Sequence, residues 1–122
     1  YSILDGSGLL LSEYPIGTNP TKSHFLNRNR IQSGLSTDVI IMQASEKSGT
    51  MTTFKRSLEQ NKVVHVYLEH ELKKLSVFSG NLIMSQHTAA QPFIDSQTLE
   101  LNIKKGRDVS MDIKDQGQLG LF

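Results

Sequence analysis

Two short polar segments contain the residues of this chain that could do chemistry. One lies within residues 22–30, and the other is Ser48-Gly49-Thr50. Residues 14–37 contain no Asp or Glu, so no acidic side chain inside that window neutralises its cations. Arginine presents a planar fork that matches phosphate, and small residues at a helix start leave backbone N–H groups available to an anion. We therefore predict an anion-binding site formed by Lys22, Arg28, Arg30, Ser48, Gly49 and Thr50.

Two alternatives to a bound anion stay open for these residues. Ser48 or Thr50 could serve only as a helix N-cap, which is worth about 1 kcal/mol. Two residues that are two positions apart lie about 200° apart around a helix, so Arg28 and Arg30 do not both face one phosphate. One of them is then structural, and the segment could be a solvated basic face with an ion pair to Glu13 or Asp38.

The predicted elements alternate between strand and helix. Three apolar runs predict strands, at residues 9–11, 39–42 and 63–67. Helices are predicted between them at residues 24–34 and 50–60. The run at 39–42 has no polar alternation, which is typical of a parallel strand covered on both faces. The fold class is therefore α/β, with a parallel sheet flanked by helices.

The carboxyl half carries a weaker signal. Helices are predicted at residues 68–75 and 96–105, and Pro92 and Gly106 interrupt this half. We expect one domain over residues 1–106 and a flexible tail over residues 107–122. Because the chain begins at Tyr1 without a charged leader, we also expect that an upstream portion is missing.

The composition limits the classes of protein. The 122 residues carry a net charge of +1, so the whole molecule attracts a polyanion only weakly. No cysteine is present, which fits a reducing compartment, and we expect a cytoplasmic location. No apolar run approaches the ~20 residues of a membrane-spanning helix. The four histidines lack zinc-site spacing and no nucleophile elbow occurs, so we predict no metal, no cofactor and no catalytic residue.

Four segments closely resemble the DprA/Smf family of DNA-processing proteins. They are GLLLSEYPIGT at residues 8–18, KSHFLNRNRIQSGLS at 22–36, KSGT at 47–50 and LEQ at 58–60. The clear resemblance covers residues 8–67, and residues 68–106 diverge. The family's first half is absent, and its proline-glycine pair after the last strand is replaced here, with Ser79-Gly80-Asn81 as the nearest echo.

This resemblance implies a Rossmann-like domain, of which about three strands are recognisable here. It also implies single-stranded DNA binding in recombination, repair or uptake, loading of the RecA recombinase, a homodimer and no known catalysis. The family's positive DNA pocket would fall on Lys22, Arg28 and Arg30, with Ser48, Gly49 and Thr50 lining it. The alternative is a nucleotide-binding or nucleotide-processing protein of the same superfamily, although the paired-glycine motif of the related phosphoribohydrolases is absent.

The last five residues resemble a second known motif. Gln118-Leu119-Gly120-Leu121-Phe122 is similar to the pentapeptide by which bacterial polymerases and repair proteins dock on the β sliding clamp. In that mode Leu119, Leu121 and Phe122 enter an apolar groove and Gln118 forms hydrogen bonds. The alternative is that these apolar side chains fold back on the domain's own core.

Overall fold

The computed structural model describes Gly6 and residues 8–118, with side chains described as far as Arg107. In chain order the elements are α1 (Lys22–Leu35), β1 (Asp38–Ile41), α2 (Gly49–Glu59), β2 (Val63–Tyr67), 3₁₀ turns at Glu71–Lys74 and Ser76–Phe78, α3 (Ser79–Ser85), β3 (Ala90–Phe93) and α4 (Ser96–Gln118). None of the helices in the described part of the chain has the length and apolar character needed to cross a membrane.

The three strands form one parallel sheet in the order β1-β2-β3. In its register Val39 lies opposite Val64, and Val64 lies opposite Ala90. The central strand β2 is the most buried, because Val64, His65 and Val66 are all 0% exposed. The predicted α/β class and parallel sheet are confirmed.

The core lies between the sheet and its helices. Val64 and Val66 pack in one cluster with Ile41 of β1, Phe54 of α2 and Met84 of α3. Complete burial of one such side chain stabilises the fold by about 1.5–3 kcal/mol. The apolar spacing that predicted α2 is therefore used to hold this helix on the sheet.

Two strand predictions in the amino half are wrong in part. Residues 9–11 form no strand, and their leucines are 61–78% exposed, because no described strand lies beside them to complete hydrogen-bonded pairs. The strand predicted at 39–42 does exist as β1, but it is not covered on both faces. Ile40 is 46% exposed because β1 is an edge strand and α4 packs on β2 and β3.

The carboxyl half differs most from expectation. The helix predicted at residues 68–75 is replaced by the 3₁₀ turns, whereas the helix predicted at 96–105 is confirmed as the first part of α4. The backbone of α4 continues past Gly106 to Gln118, so the predicted tail begins with helix. Leu119, Leu121 and Phe122 lie outside the described residues. The domain boundary at residue 106 stays a prediction.

Candidate anion-binding site

Helices α1 and α2 pack side by side and run in the same direction. Successive contacts along α1 meet successive residues of α2. A Cβ at Gly49 would lie 3.9 Å from Leu26 Cδ2, and Asn29 Nδ2 donates to Thr53 Oγ1 at 3.0 Å. Beyond the end of α2, Gln60 accepts from the buried Ser33 hydroxyl at 2.5 Å. The N-termini of the two helices therefore lie at the same end of the molecule.

The N-terminus of α2 has no side-chain cap. Ser48 occupies the N-cap position with extended backbone, but its hydroxyl forms no capping hydrogen bond. Ser48 Oγ is buried and has no partner among the described residues. The first-turn N–H groups of a helix have no carbonyl partner within it, and the helix dipole adds about half a positive charge there. This end of α2 can thus accept an anion, and the side-chain capping alternative does not hold for Ser48.

Lys22 extends the same positive end. It is the first residue of α1 and is exposed. Lys22, Leu26, Asn29 and Ser33 recur at intervals of four, three and four, which places them on one helix face, and the last three of them contact or approach α2 or Gln60. The Lys22 ammonium forms no hydrogen bond or ion pair within the described part of the chain. The structure therefore gathers Lys22, Ser48, Gly49 and Thr50 at one end.

An open groove leads away from this end along the edge of β1 that has no strand beside it among the described residues. Its volume is about 650 Å³, and its lining includes Ile40, Met42 and Gln43 on one side and Gly49, Thr50 and Thr53 on the other. Residues that follow a parallel strand lie at its carboxyl edge, where α/β sheets bind ligands. An extended anionic ligand held at the start of α2 could continue along this groove.

The structure places Arg30 outside this cluster. Arg30 forms an ion pair with Glu13, and its side chain is 50% exposed. An ion pair to Glu13 was one of the two considered for this segment, and the part of Arg30 in ligand binding stays a prediction. Because Glu13 precedes α1, the ion pair holds this preceding segment against the helix. It also makes the guanidinium of Arg30 less available to a ligand.

Arg28 lies on the opposite face of α1 from α2. Its guanidinium is 5.5 Å from the centre of the Phe25 ring, and it lines a second groove of about 500 Å³. Tyr14 and His24 stack in the same groove, with ring centroids 4.2 Å apart. Arg28 is therefore not brought together with Lys22 and the start of α2.

Two residues that align the helices were missed in the sequence. Asn29 and Thr53 join α1 to α2 through their side chains, and neither was predicted to belong to the site. The signal for Asn29 was its spacing of seven from Lys22, which marks one face of a helix. Thr53 carried no such signal, because its partner became known only when the two helices were seen to pack.

A family model for DNA recombination-mediator protein A matches residues 1–102. The DNA processing protein DprA of Bacillus subtilis (strain 168) is 54% identical over 56 residues, which cover 46% of this chain and 19% of that protein. Protein Smf of Escherichia coli (strain K12) is 41% identical over 63 residues, covering 52% and 17%. This chain spans about a fifth or less of the length of such curated relatives.

A solved structure is also similar. DNA processing protein A from Helicobacter pylori, studied for its single-stranded DNA binding mode, superposes with a TM-score of 0.65. The two are 30% identical, and the match covers 77% of this chain and 42% of the other. The similarity thus includes most of the strands and helices described above.

Proposed function

The chain belongs to the DNA recombination-mediator protein A family, which includes the DprA/Smf proteins, and from this premise we propose that it binds single-stranded DNA through backbone phosphates. One observation supports the proposal above others. The ammonium of Lys22, which has no partner among the described residues, lies at the same end as the uncapped N-terminus of α2. The chain spans only part of the length of its relatives. The activity of the whole protein is therefore proposed here together with the binding site.

The backbone N–H groups at the start of α2 and the ammonium of Lys22 bind phosphate in different and complementary ways. Backbone N–H groups at Gly49 and Thr50 bind one phosphate without regard to the base that it carries, and the helix dipole favours its charge. Lys22 contributes a mobile point charge that can neutralise the same or an adjacent phosphate. Contacts of this kind position a strand but do not identify its sequence. We therefore expect affinity for single strands with little base preference.

The proposal is tested by fluorescence anisotropy of a labelled oligothymidine titrated with the full chain at low and moderate salt. A duplex of equal length is the control. We expect tighter binding to the single strand and weaker binding as salt rises, since neutralised phosphates release counterions. Equal affinity for both DNAs, or binding that free nucleotides abolish at equal phosphate concentration, would contradict the proposal and favour the nucleotide-binding alternative.

The finer functional assignments rest on family membership. We propose that the protein acts as a recombination mediator in the cytoplasm, works as a homodimer, delivers single strands to RecA and has no catalytic activity. Sedimentation velocity of the full chain measures the dimer directly. Capture of RecA in the presence of oligothymidine, but not in its absence, measures the delivery of single strands to RecA. A single monomeric species would contradict the homodimer, and failure to capture RecA would contradict the delivery.

The clamp interaction is a separate proposal that rests on Gln118, Leu119, Leu121 and Phe122. Of these residues only Gln118 is described, as the backbone end of α4. Deletion of Leu121 and Phe122 is expected to abolish binding to the β sliding clamp, because the apolar side chains provide most of such an interaction. The same deletion should leave oligothymidine binding unchanged. Clamp binding that survives the deletion would overturn this proposal.

A further inference from the structure

Asn81 is completely buried and joins the ends of two strands. Its Nδ2 donates to the carbonyl of Met42 at 3.1 Å and to the carbonyl of Tyr67 at 2.7 Å. Its Oδ1 accepts from the backbone N–H of Ala44 at 2.6 Å. One carboxamide therefore fixes the chain that leaves β1 relative to the last residue of β2.

Gly80 and Ser79 hold the next part of that chain. The N–H of Gly80 donates to the carbonyl of Ala44 at 2.9 Å. A Cβ on Gly80 would lie 2.8 Å from the carbonyl oxygens of Ala44 and Ser45, so any side chain there would displace this backbone. Ser79 Oγ accepts from the N–H of Glu46 at 3.0 Å. Ser79, Gly80 and Asn81, called here the SGN triplet, therefore hydrogen-bond the backbone of Ala44 and Glu46, on either side of Ser45.

The segment held by this triplet leads directly into the anion-binding site. The N–H of Ser48 donates to the carbonyl of Ser45 at 3.0 Å, so the position of Ser48 follows that of Ser45. Ser48 is the N-cap of α2, and Gly49 and Thr50 form its first turn. A shift of the 44–46 backbone would thus be transmitted to the N–H groups at the start of α2 that are proposed to bind the anion.

We infer that Ser79, Gly80 and Asn81 are positioning residues for single-stranded DNA binding, because they fix the orientation of the α2 N-terminus without touching the DNA. This inference rests on the proposed function. Backbone N–H groups bind phosphate without releasing counterions of their own, whereas lysine contacts determine the salt dependence. Loss of a contact made by the SGN triplet therefore lowers the affinity for DNA by the same factor at all salt concentrations. Lys22→Ala, in contrast, changes the salt dependence of that affinity.

The test compares two matched pairs of variants in the full chain, with labelled oligothymidine as the probe. Gly80→Ala is paired with Gly106→Ala, where an added Cβ would meet no atom within 4 Å. Ser79→Ala is paired with Ser85→Ala. Both hydroxyls of that pair donate to the carbonyl three residues earlier, at 2.8 Å in each case, but only Ser79 also accepts from Glu46. Denaturant unfolding is measured for every variant, so that affinity refers to folded protein.

We expect Gly80→Ala to weaken oligothymidine binding about tenfold, as for one misaligned charge-assisted hydrogen bond. We expect Ser79→Ala to weaken it by a factor of about two to three, with the salt slope unchanged in both variants. If Gly80→Ala does not fold, Ser79→Ala decides the question. If Gly80→Ala and Ser79→Ala bind oligothymidine as tightly as their control variants, while Lys22→Ala weakens binding, this inference is overturned and the proposed function is not. A wild-type chain that does not bind oligothymidine overturns the proposed function and this inference together.

Discussion

At the scale of single residues, three cations from one basic segment have three different environments. Lys22 faces the same side as Leu26 and has no partner within the described residues, whereas Arg30 is paired with Glu13. Arg28 lies over the Phe25 ring on the other side of α1. These differences follow from the 100° step of an α-helix, which separates neighbours that look equivalent in the sequence. Only Lys22 shares an end with the start of α2.

The arginines are therefore expected to matter less than Lys22. Arg30→Ala removes an ion pair between half-exposed groups, which is worth less than about 1 kcal/mol of unfolding free energy. We expect Arg28→Ala and Arg30→Ala each to leave the oligothymidine affinity within about twofold of wild type, apart from the general effect of one lost charge. Anisotropy titrations beside Lys22→Ala measure this. An arginine variant that loses as much affinity as Lys22→Ala would contradict the assignment.

The sequence identified the members of the site better than it identified their grouping. Lys22, Ser48, Gly49 and Thr50 were predicted and lie at one end. The 200° separation of Arg28 and Arg30 could also be predicted from the sequence. The side of α1 that packs on α2 could not. That choice depends on contacts such as Asn29 to Thr53, between residues far apart in the chain.

At the scale of elements, a buried polar pair joins β1 to β2. His65 is 0% exposed, and its Nε2 lies 3.0 Å from Oδ1 of Asp38, whose side chain is 16% exposed. An ionised carboxylate only accepts hydrogen bonds, so Nε2 is the donor. Burial raises the pKa of Asp38, but hydrogen bonds from His65 and Thr37 outweigh it, and the net pKa lies below the ordinary value of 3.8.

This lowered pKa predicts a specific acid sensitivity. A carboxyl group with a lower pKa in the folded state stabilises the fold above its unfolded pKa, and this contribution is lost as pH falls through the folded pKa. Asp38→Ala leaves the His65 ring without its partner and should lower the unfolding free energy at pH 7 by about 1–3 kcal/mol. Denaturant unfolding between pH 7 and pH 2 measures both effects.

The Asp38→Ala variant should lose less additional stability below pH 4 than wild type does, because the titrating carboxyl group has been removed. Asp38→Asn is the matched control, since its amide oxygen can still accept from Nε2. It should be more stable at pH 7 than Asp38→Ala. Parallel pH profiles for wild type and Asp38→Ala would show that the pair does not contribute as described.

The elements that could be predicted from the sequence are those with an uninterrupted apolar pattern. The strands β1 and β2 follow from such runs, and α2 follows from its periodic apolar face, whereas α1 buries only Ser33 and has no such pattern. The strand β3 has the sequence Ala-Gln-Pro-Phe, which carries no strand period, and Pro92 is tolerated because β3 is an edge strand. The short helix α3 buries Asn81 for its hydrogen bonds, which no apolar pattern reveals.

At the scale of the whole molecule, charge is nearly balanced and binding must come from a local arrangement. The net charge of +1 provides little general attraction for DNA. Removal of any one lysine changes this total equally, but Lys22 lies at the end of the molecule where the uncapped α2 begins. Lys62 directly precedes β2 and so lies at the amino ends of the strands, away from the carboxyl ends where α2 begins. Lys62→Ala is therefore a matched control. Comparison of Lys22→Ala with Lys62→Ala thus separates a local contact from a general charge effect.

The most direct measurement is the salt dependence of oligothymidine affinity for wild type, Lys22→Ala and Lys62→Ala. Each lost phosphate contact on a single strand reduces the slope of log affinity against log salt by about 0.7. We expect this reduction for Lys22→Ala, together with weaker binding, and a wild-type slope for Lys62→Ala. An unchanged slope for Lys22→Ala, or equal reductions for both variants, would contradict a phosphate site formed by Lys22 and the N-terminus of α2.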